Sequence, residues 1–190
     1  MKTDVILIGG SAGAFNVILS ILNNLDKSID TPIIIVLHRL KNSVSSFEAI
    51  LQRHSHYQVK EIEDKEELKK GFIYTAPADY HVLLEENLTF SLDVSEMVNF
   101  SRPSIDVTFE SFSTLLEEKC CGILLSGSNQ DGANGLKTIA ENNGKTFIQD
   151  CSEAEFEIMP KAAKKICNKH IELNTTTLIK VLNNEYHHKT

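Results

Sequence analysis

The chain alternates uninterrupted apolar runs with amphipathic segments. Val5-Ile6-Leu7-Ile8, Ile33-Ile34-Ile35-Val36-Leu37 and Gly122-Ile123-Leu124-Leu125 contain no polar side chain, the pattern of strands covered on both faces. After the first run, Phe15, Ile18, Leu19, Leu22 and Leu25 recur at helical spacing and predict a helix over 15–25. Further helices are expected over 44–53, over 133–142 with a stop at Asn142-Asn143-Gly144, and over 175–186, with a returning strand over 146–149. Strand–helix–strand units of this kind build a parallel sheet covered by helices. The middle breaks the rhythm: residues 71–77 and 81–85, with Glu86-Asn87 turning into 88–92, read as an antiparallel hairpin region. The expected fold class is therefore α/β. It is a doubly wound, mostly parallel sheet with helices on both faces and an antiparallel hairpin extension at one edge, in one domain over 1–190.

Composition narrows the function classes. A chain of 190 residues can bury roughly 70% of its unfolded surface and needs no metal or disulfide staple. Lys plus Arg is 19 against Asp plus Glu at 26, a net charge of −7, which argues against nucleic-acid binding by phosphate neutralisation. No stretch approaches the roughly 18 apolar residues of a membrane span, and the start is too short for a signal-peptide core. Cys120, Cys121, Cys151 and Cys167 form no Cys-x-x-Cys pair and read as thiols of a cytoplasmic protein. His54-Ser55-His56 lacks an acidic or thiol partner at ligand spacing, so no metal is expected. A dinucleotide fingerprint and a phosphate loop both fail. Counted from Gly9, the third and sixth positions are Ser11 and Ala14 rather than glycines, and the Gly-Lys-Ser/Thr of a phosphate loop is absent.

In an open parallel sheet, ligands bind beyond the carboxyl ends of the strands. The first strand runs into Gly9-Gly10-Ser11-Ala12-Gly13, a Gly-x-Ser-x-Gly turn between strand and helix that can present a nucleophilic hydroxyl. The second ends at His38, and the strand over 122–125 leads to Asp131. Each has a plainer reading. Ser11 can cap the helix or its turn can bind an anion, His38 can be structural, and Asp131 can be an N-cap. Asp79 and Asp106 compete as acids, one in a turn and one inside a helical stretch. Three residues of complementary type at one sheet edge nevertheless suit a triad. Ser11 attacks, His38 takes its proton, and Asp131 holds the imidazole and stabilises its charged form. The order Ser…His…Asp departs from the Ser…Asp…His of α/β-hydrolases.

With these residues in place, the sequence resembles the catalytic domain of the chemotaxis protein-glutamate methylesterases, the CheB type, over about 4–181. The resemblance rests on Ile8-Gly9-Gly10-Ser11-Ala12-Gly13, Leu37-His38, the 71–77 segment with His81, Arg102-Pro103-Ser104-Ile105-Asp106-Val107, Leu125-Ser126-Gly127 with Asp131-Gly132-Ala133, and Met159-Pro160-Lys161-Ala162-Ala163. It implies a serine hydrolase acting on glutamate methyl esters of chemoreceptor cytoplasmic helices, releasing methanol, with deamidation of receptor glutamines and no cofactor. Ser11, His38 and Asp131 fall where the family has its triad. Ala12, Arg102 and Ser128 are the further substrate or oxyanion candidates. The first strand begins near Asp4, so the N-terminal receiver domain of the family is expected to be missing, and a separate receiver or kinase chain becomes a candidate partner. Several positions depart from the family pattern. Ser-Thr-Gly-Gly becomes Ser11-Ala12-Gly13-Ala14, His-Met-Pro becomes His38-Arg39-Leu40, and Met-Gly-Asn becomes Ser128-Asn129-Gln130. A non-catalytic receptor-binding relative and an esterase on another substrate are the alternatives. Arg39, Lys41 and Arg102 are expected to offset the acidic field near the cleft.

Overall fold

In this computed structural model, which describes residues 5–39 and 47–186, the apolar runs become the inner strands of a sheet. The strands are β1 (Val5–Gly10), β2 (Ile33–Leu37), β3 (Gln58–Glu61), β4 (Phe72–Thr75), β5 (His81–Leu84), β6 (Phe90–Asp93), β7 (Cys120–Leu124), β8 (Lys145–Gln149) and β9 (Ile171–Leu173). Seven of them form one sheet in the order β3-β4-β2-β1-β7-β8-β9, with every pairing parallel. The helices are α1 (Ala14–Asn24), α2 (Phe47–Arg53), α3 (Ile105–Leu116), α4 (Ala133–Glu141), α5 (Ile158–Ile166) and α6 (Thr175–Glu185).

Alternation along the strands divides the core into two layers. Val5 and Leu7 of β1 pack in one layer with Phe109 and Phe112 of α3, Leu136 and Ile139 of α4, and Met159 of α5. Ile6 and Ile8 face the other, with Ile18, Ile21 and Leu22 of α1, Leu51 of α2, and Leu178 and Leu182 of α6. Both faces of β1 are thus covered, which is why its sequence shows no polar alternation.

The expected α/β class holds, and the middle of the chain refines it. Residues 72–75 are not half of the hairpin: they form β4, paired in parallel with both β2 and β3. Ile73 and Tyr74 point into opposite core layers, and a segment buried on both faces belongs inside a sheet. The hairpin is β5–β6, antiparallel from His81↔Asp93 to Leu84↔Phe90. It stands as a separate two-stranded sheet rather than an extension hydrogen-bonded to the edge. Val82, Leu84 and Phe90 bind it to the α3 layer, with the Phe90 ring 4.9 Å from Tyr74 and 6.3 Å from Phe112.

Cys120 and Cys121 are buried, and Cys151 and Cys167 partly so. His54 sits in a turn, hydrogen-bonded to Asn23. Among the described residues no helix is long and apolar enough to cross a membrane.

Candidate active site

The sheet order reverses at β1. From β1 the chain builds outward through β2 to β4, then returns to place β7 on the other flank. Crevices form at such a switch point, beyond the strand carboxyl ends. Ser11 follows β1 directly. The register Gly10↔Leu37 sets the next pair, Ser11 and His38, side by side on neighbouring strand ends, and the His38 N–H donates to the Gly10 carbonyl at 3.2 Å.

The turn at Ser11 depends on its glycines. Gly13 has φ of +79°, and a Cβ there would lie 2.6 Å from Ser126 Oγ and 2.7 Å from Glu155 Cβ, so only glycine fits. A Cβ on Gly10 would meet the Ala14 methyl at 2.5 Å. Gly13 is the N-cap of α1, and no side chain caps that helix. Ser11 therefore is not a cap. Its hydroxyl takes no hydrogen-bond partner among the described residues.

Asp131 is not a cap either, since Gly132 holds that position in α4. Asp131 is wholly buried, at 0% exposure, and its carboxylate sits on the N-terminus of α3. Oδ2 accepts from the Ile105 N–H at 2.7 Å and from His38 Nε2 at 2.8 Å. Oδ1 accepts from Ser104 Oγ at 2.8 Å, the Asp106 N–H at 3.2 Å and Asn99 Nδ2 at 3.3 Å. Ser104 is also the N-cap of α3, accepting from the Val107 N–H. Helix N-termini favour anions through their unpaired N–H groups and dipole. Burial alone would raise the Asp131 pKa, but the hydrogen bonds from His38, Ile105 and Ser104 together hold it below its ordinary 3.8.

The ionised carboxylate has no proton to give, so the His38 proton facing it sits on Nε2 and the lone pair on Nδ1. Nδ1 is thus the basic atom. It faces Ser101, whose Oγ lies 3.3 Å away. The ring is turned relative to serine proteases, where Nδ1 meets the aspartate and Nε2 the serine.

Asp106 is a second buried carboxylate beside the first. It accepts from the Gly135 N–H at 2.8 Å and from Asn99 Nδ2 at 2.9 Å. Burial pushes its pKa up from 3.8; the Gly135 bond opposes that, and the Asp131 charge adds to it. For an acid raised in this way, stability is lost as pH rises through the ordinary value to the folded one. Asp106→Asn is therefore expected to leave stability at pH 7 unchanged or higher by up to about 1 kcal/mol. Urea unfolding measures this, and a loss beyond ~2 kcal/mol would show that the carboxylate itself is needed to hold Gly135.

A cavity of about 360 Å³ opens beside the ring, lined by His38, Arg39, Asp79, Met97, Phe100, Ser101, Arg102 and Pro103. Ser11 is not part of that lining. Both arginines are already committed. Arg39 meets Glu48 at 2.9 Å and Glu61 at 2.6 Å and stacks on the Phe47 ring. Arg102 binds Asp79 at 2.6 Å and the Val94 and Ser95 carbonyls, each at 2.7 Å. The expected offset of the acidic field is thus met locally by carboxylates at these two positions, and Lys41 lies outside the described residues. Ser128 is exposed on the loop after β7. The Ala12 carbonyl accepts from Ser126 Oγ at 2.7 Å, and the Ala12 N–H has no acceptor among the described residues.

The family model described as CheB methylesterase matches residues 6–182. The chain belongs to the CheB methylesterase family. A Leptospira interrogans protein (strain Fiocruz L1-130), provisionally named a protein-glutamate methylesterase/protein-glutamine glutaminase, is 45% identical over 86% of this chain and 84% of its own length. A Thermotoga maritima protein of the same name is 32% identical over 83% of this chain but only 47% of its own length. The crystal structure of the T. maritima CheB methylesterase catalytic domain superposes with a TM-score of 0.91 at 28% identity, covering 97% of this chain and 99% of that one.

In this CheB-type fold, sequence reasoning passed over Ser104, Asn99 and Ser101. Ser104 carried a usable signal: a serine after proline, opening an amphipathic run, marks an N-cap. Nothing local marked Ser101 as the neighbour of His38.

Proposed function

We propose that this chain is a serine hydrolase that removes methyl esters from glutamate side chains of chemoreceptors, releasing methanol, and deamidates receptor glutamines. Family membership and the names of the relatives support a protein-glutamate methylesterase/glutaminase. The observation that carries the mechanism is the 2.8 Å bond from His38 Nε2 to the buried Asp131 carboxylate, with Ser11 on the adjacent strand end.

In this mechanism the Ser11 hydroxyl gives its proton to His38 Nδ1 and attacks the ester carbonyl. Asp131 stabilises the imidazolium that results. The Ala12 N–H, next to the nucleophile, faces the developing oxyanion. Nδ1–H then protonates the departing methoxide, and methanol leaves behind an acyl-Ser11. Water attacks that ester with Nδ1 as base, restoring Ser11 and freeing the glutamate carboxylate. A glutamine substrate follows the same course with ammonia as the leaving group. The half-buried Ser11 and wholly buried Asp131 suit a site that desolvates the acyl group.

Substrate identity is tested by assaying a methyl-esterified chemoreceptor cytoplasmic fragment beside p-nitrophenyl acetate. Methanol release is expected to exceed acetate release in kcat/KM by at least about 100-fold, because remote binding contacts lower the barrier only for the cognate ester. Equal values would reassign the chain to a general esterase.

A further inference from the structure

We propose that Ser101 is a positioning residue for His38, a hydroxyl that donates to the neutral ring and accepts from the charged one. The inference rests on the proposed Ser11–His38–Asp131 chemistry. It starts from a constraint already described: His38 Nε2 is held by Asp131, so every proton the ring gains or loses passes through Nδ1. The Ser101 hydroxyl lies 3.3 Å from that atom. A plain blocking contact would hinder catalysis, because the lone pair it occupies is the one Ser11 needs.

Its other neighbours give the hydroxyl a second state. The Asn99 carbonyl lies 3.4 Å from Ser101 Oγ and accepts from it. Asn129 Nδ2 donates to the same oxygen at 3.4 Å. The hydroxyl proton can therefore turn from Nδ1 to the Asn99 carbonyl, and the freed oxygen lone pair then faces Nδ1. The backbone need not move. Val98 and Ser101 exchange two hydrogen bonds, of 3.2 and 2.9 Å, and the next residue, Arg102, is clamped between Asp79 and two carbonyls.

The proton count closes. When the Ser11 proton reaches Nδ1, Ser101 keeps its own proton and redirects it to Asn99. The new Nδ1–H then has an oxygen acceptor, and the imidazolium is stabilised from both nitrogens. When Nδ1–H passes its proton to the leaving methoxide, the Ser101 hydroxyl turns back. At 3.3 Å the contact orients the ring without competing strongly with a leaving group. Hydroxyls suit this task because they are donor and acceptor at once.

The test measures methanol release from a methyl-esterified receptor fragment by the purified full chain, with Ser11→Ala, Ser101→Ala and Ser101→Thr beside wild type, and urea unfolding of each. Loss of one hydrogen bond to a charged ring is expected to lower kcat of Ser101→Ala about tenfold. KM should stay within about twofold, and Ser101→Thr should restore kcat to within about threefold of wild type. Wild-type kcat in Ser101→Ala overturns the proposal while leaving the Ser11 mechanism standing. An equal loss in both Ser101 variants, or a loss matched by destabilisation, also overturns it, since the hydroxyl would then serve only local structure. Undiminished release by Ser11→Ala, or none by wild type, overturns the underlying mechanism and this inference with it.

Discussion

Ser11→Ala is expected to lower methanol release from methylated receptor fragments by a factor on the order of 10⁴ or more, while stability stays within about 0.5 kcal/mol of wild type. The activity term follows from the role of the oxygen: without it no acyl intermediate forms, and His38 has nothing to deprotonate but water. The stability term follows from the surroundings. Ser11 is half-buried, does not cap α1 and takes no side-chain hydrogen bond among the described residues. The glycines that force the turn remain, so the strand-to-helix geometry is kept. Methanol release and urea unfolding on the same preparation read both terms. Undiminished release would remove Ser11 as nucleophile and leave Ser101, the hydroxyl 3.3 Å from the base nitrogen, as the one to examine.

That the three strand-end residues were legible in the sequence has a physical origin. A strand covered on both faces is written as a continuous apolar run, so its carboxyl end is marked by the first polar or glycine residue after it. Ser11 and His38 are identified this way, and the pairing of β1 with β2 follows from the short crossover between them. Asp131 stands a few residues beyond its strand and was legible through its residue type alone; the following Gly-Ala pointed instead to an N-cap, a position that Gly132 holds. What escaped lies where local pattern is weak. β3 reads Gln-Val-Lys-Glu and is largely exposed at the sheet edge. β9 has three residues at the opposite edge. α5 contains Pro160 in its first turn, a position where the missing N–H has no intrahelical partner anyway. The hairpin was legible as a hairpin, but not as a separate sheet, because its docking on α3 is a property of packing.

The cradle of Asp131 escaped for a related reason. Its donors, residues 99 and 104–106, precede it by 25 to 32 positions, so no local spacing announces them. The family-like segment Arg102-Pro103-Ser104-Ile105-Asp106 is then explained by tertiary structure. Arg102 ties the preceding loop, Ser104 starts α3, and the helix start receives the Asp131 carboxylate. The net charge of −7 also takes on a local form. The arginines at the cavity are met by Glu48, Glu61 and Asp79, so recognition of the proposed substrate cannot draw on unpaired charge at those two positions. Met97 and Phe100, the latter 99% exposed, line the same cavity and offer apolar contact instead.

Asp131→Asn tests that cradle and the base together, and it is expected to lower kcat on the order of 10⁴-fold and stability by about 2–4 kcal/mol. An amide has one acceptor oxygen where the carboxylate has two. With its NH₂ placed at the Oδ2 position, it faces the Ile105 N–H donor and donates to His38 Nε2. The ring proton then moves to Nδ1, and the lone pair that should receive the Ser11 proton is gone. With the amide turned over, its NH₂ faces the Asp106 N–H instead, and the imidazolium still lacks a counter-charge. Either orientation sets a donor against a helix N–H and removes the anion from the start of α3. At ~2–4 °C per kcal/mol for a chain of this size, Tm should fall by roughly 4–16 °C. The pH dependence separates this from general damage. Because the Asp131 pKa is held below its ordinary 3.8, its contribution is fully present above that value and is lost as pH falls through the folded one. The stability gap between wild type and variant should therefore be constant from neutral pH down to the ordinary carboxylate range and should narrow only below it. Asp106→Asn, whose carboxylate is shifted the opposite way, should open no such gap. A gap that closes well above the ordinary carboxylate range would show that the Asp131 carboxylate does not carry it.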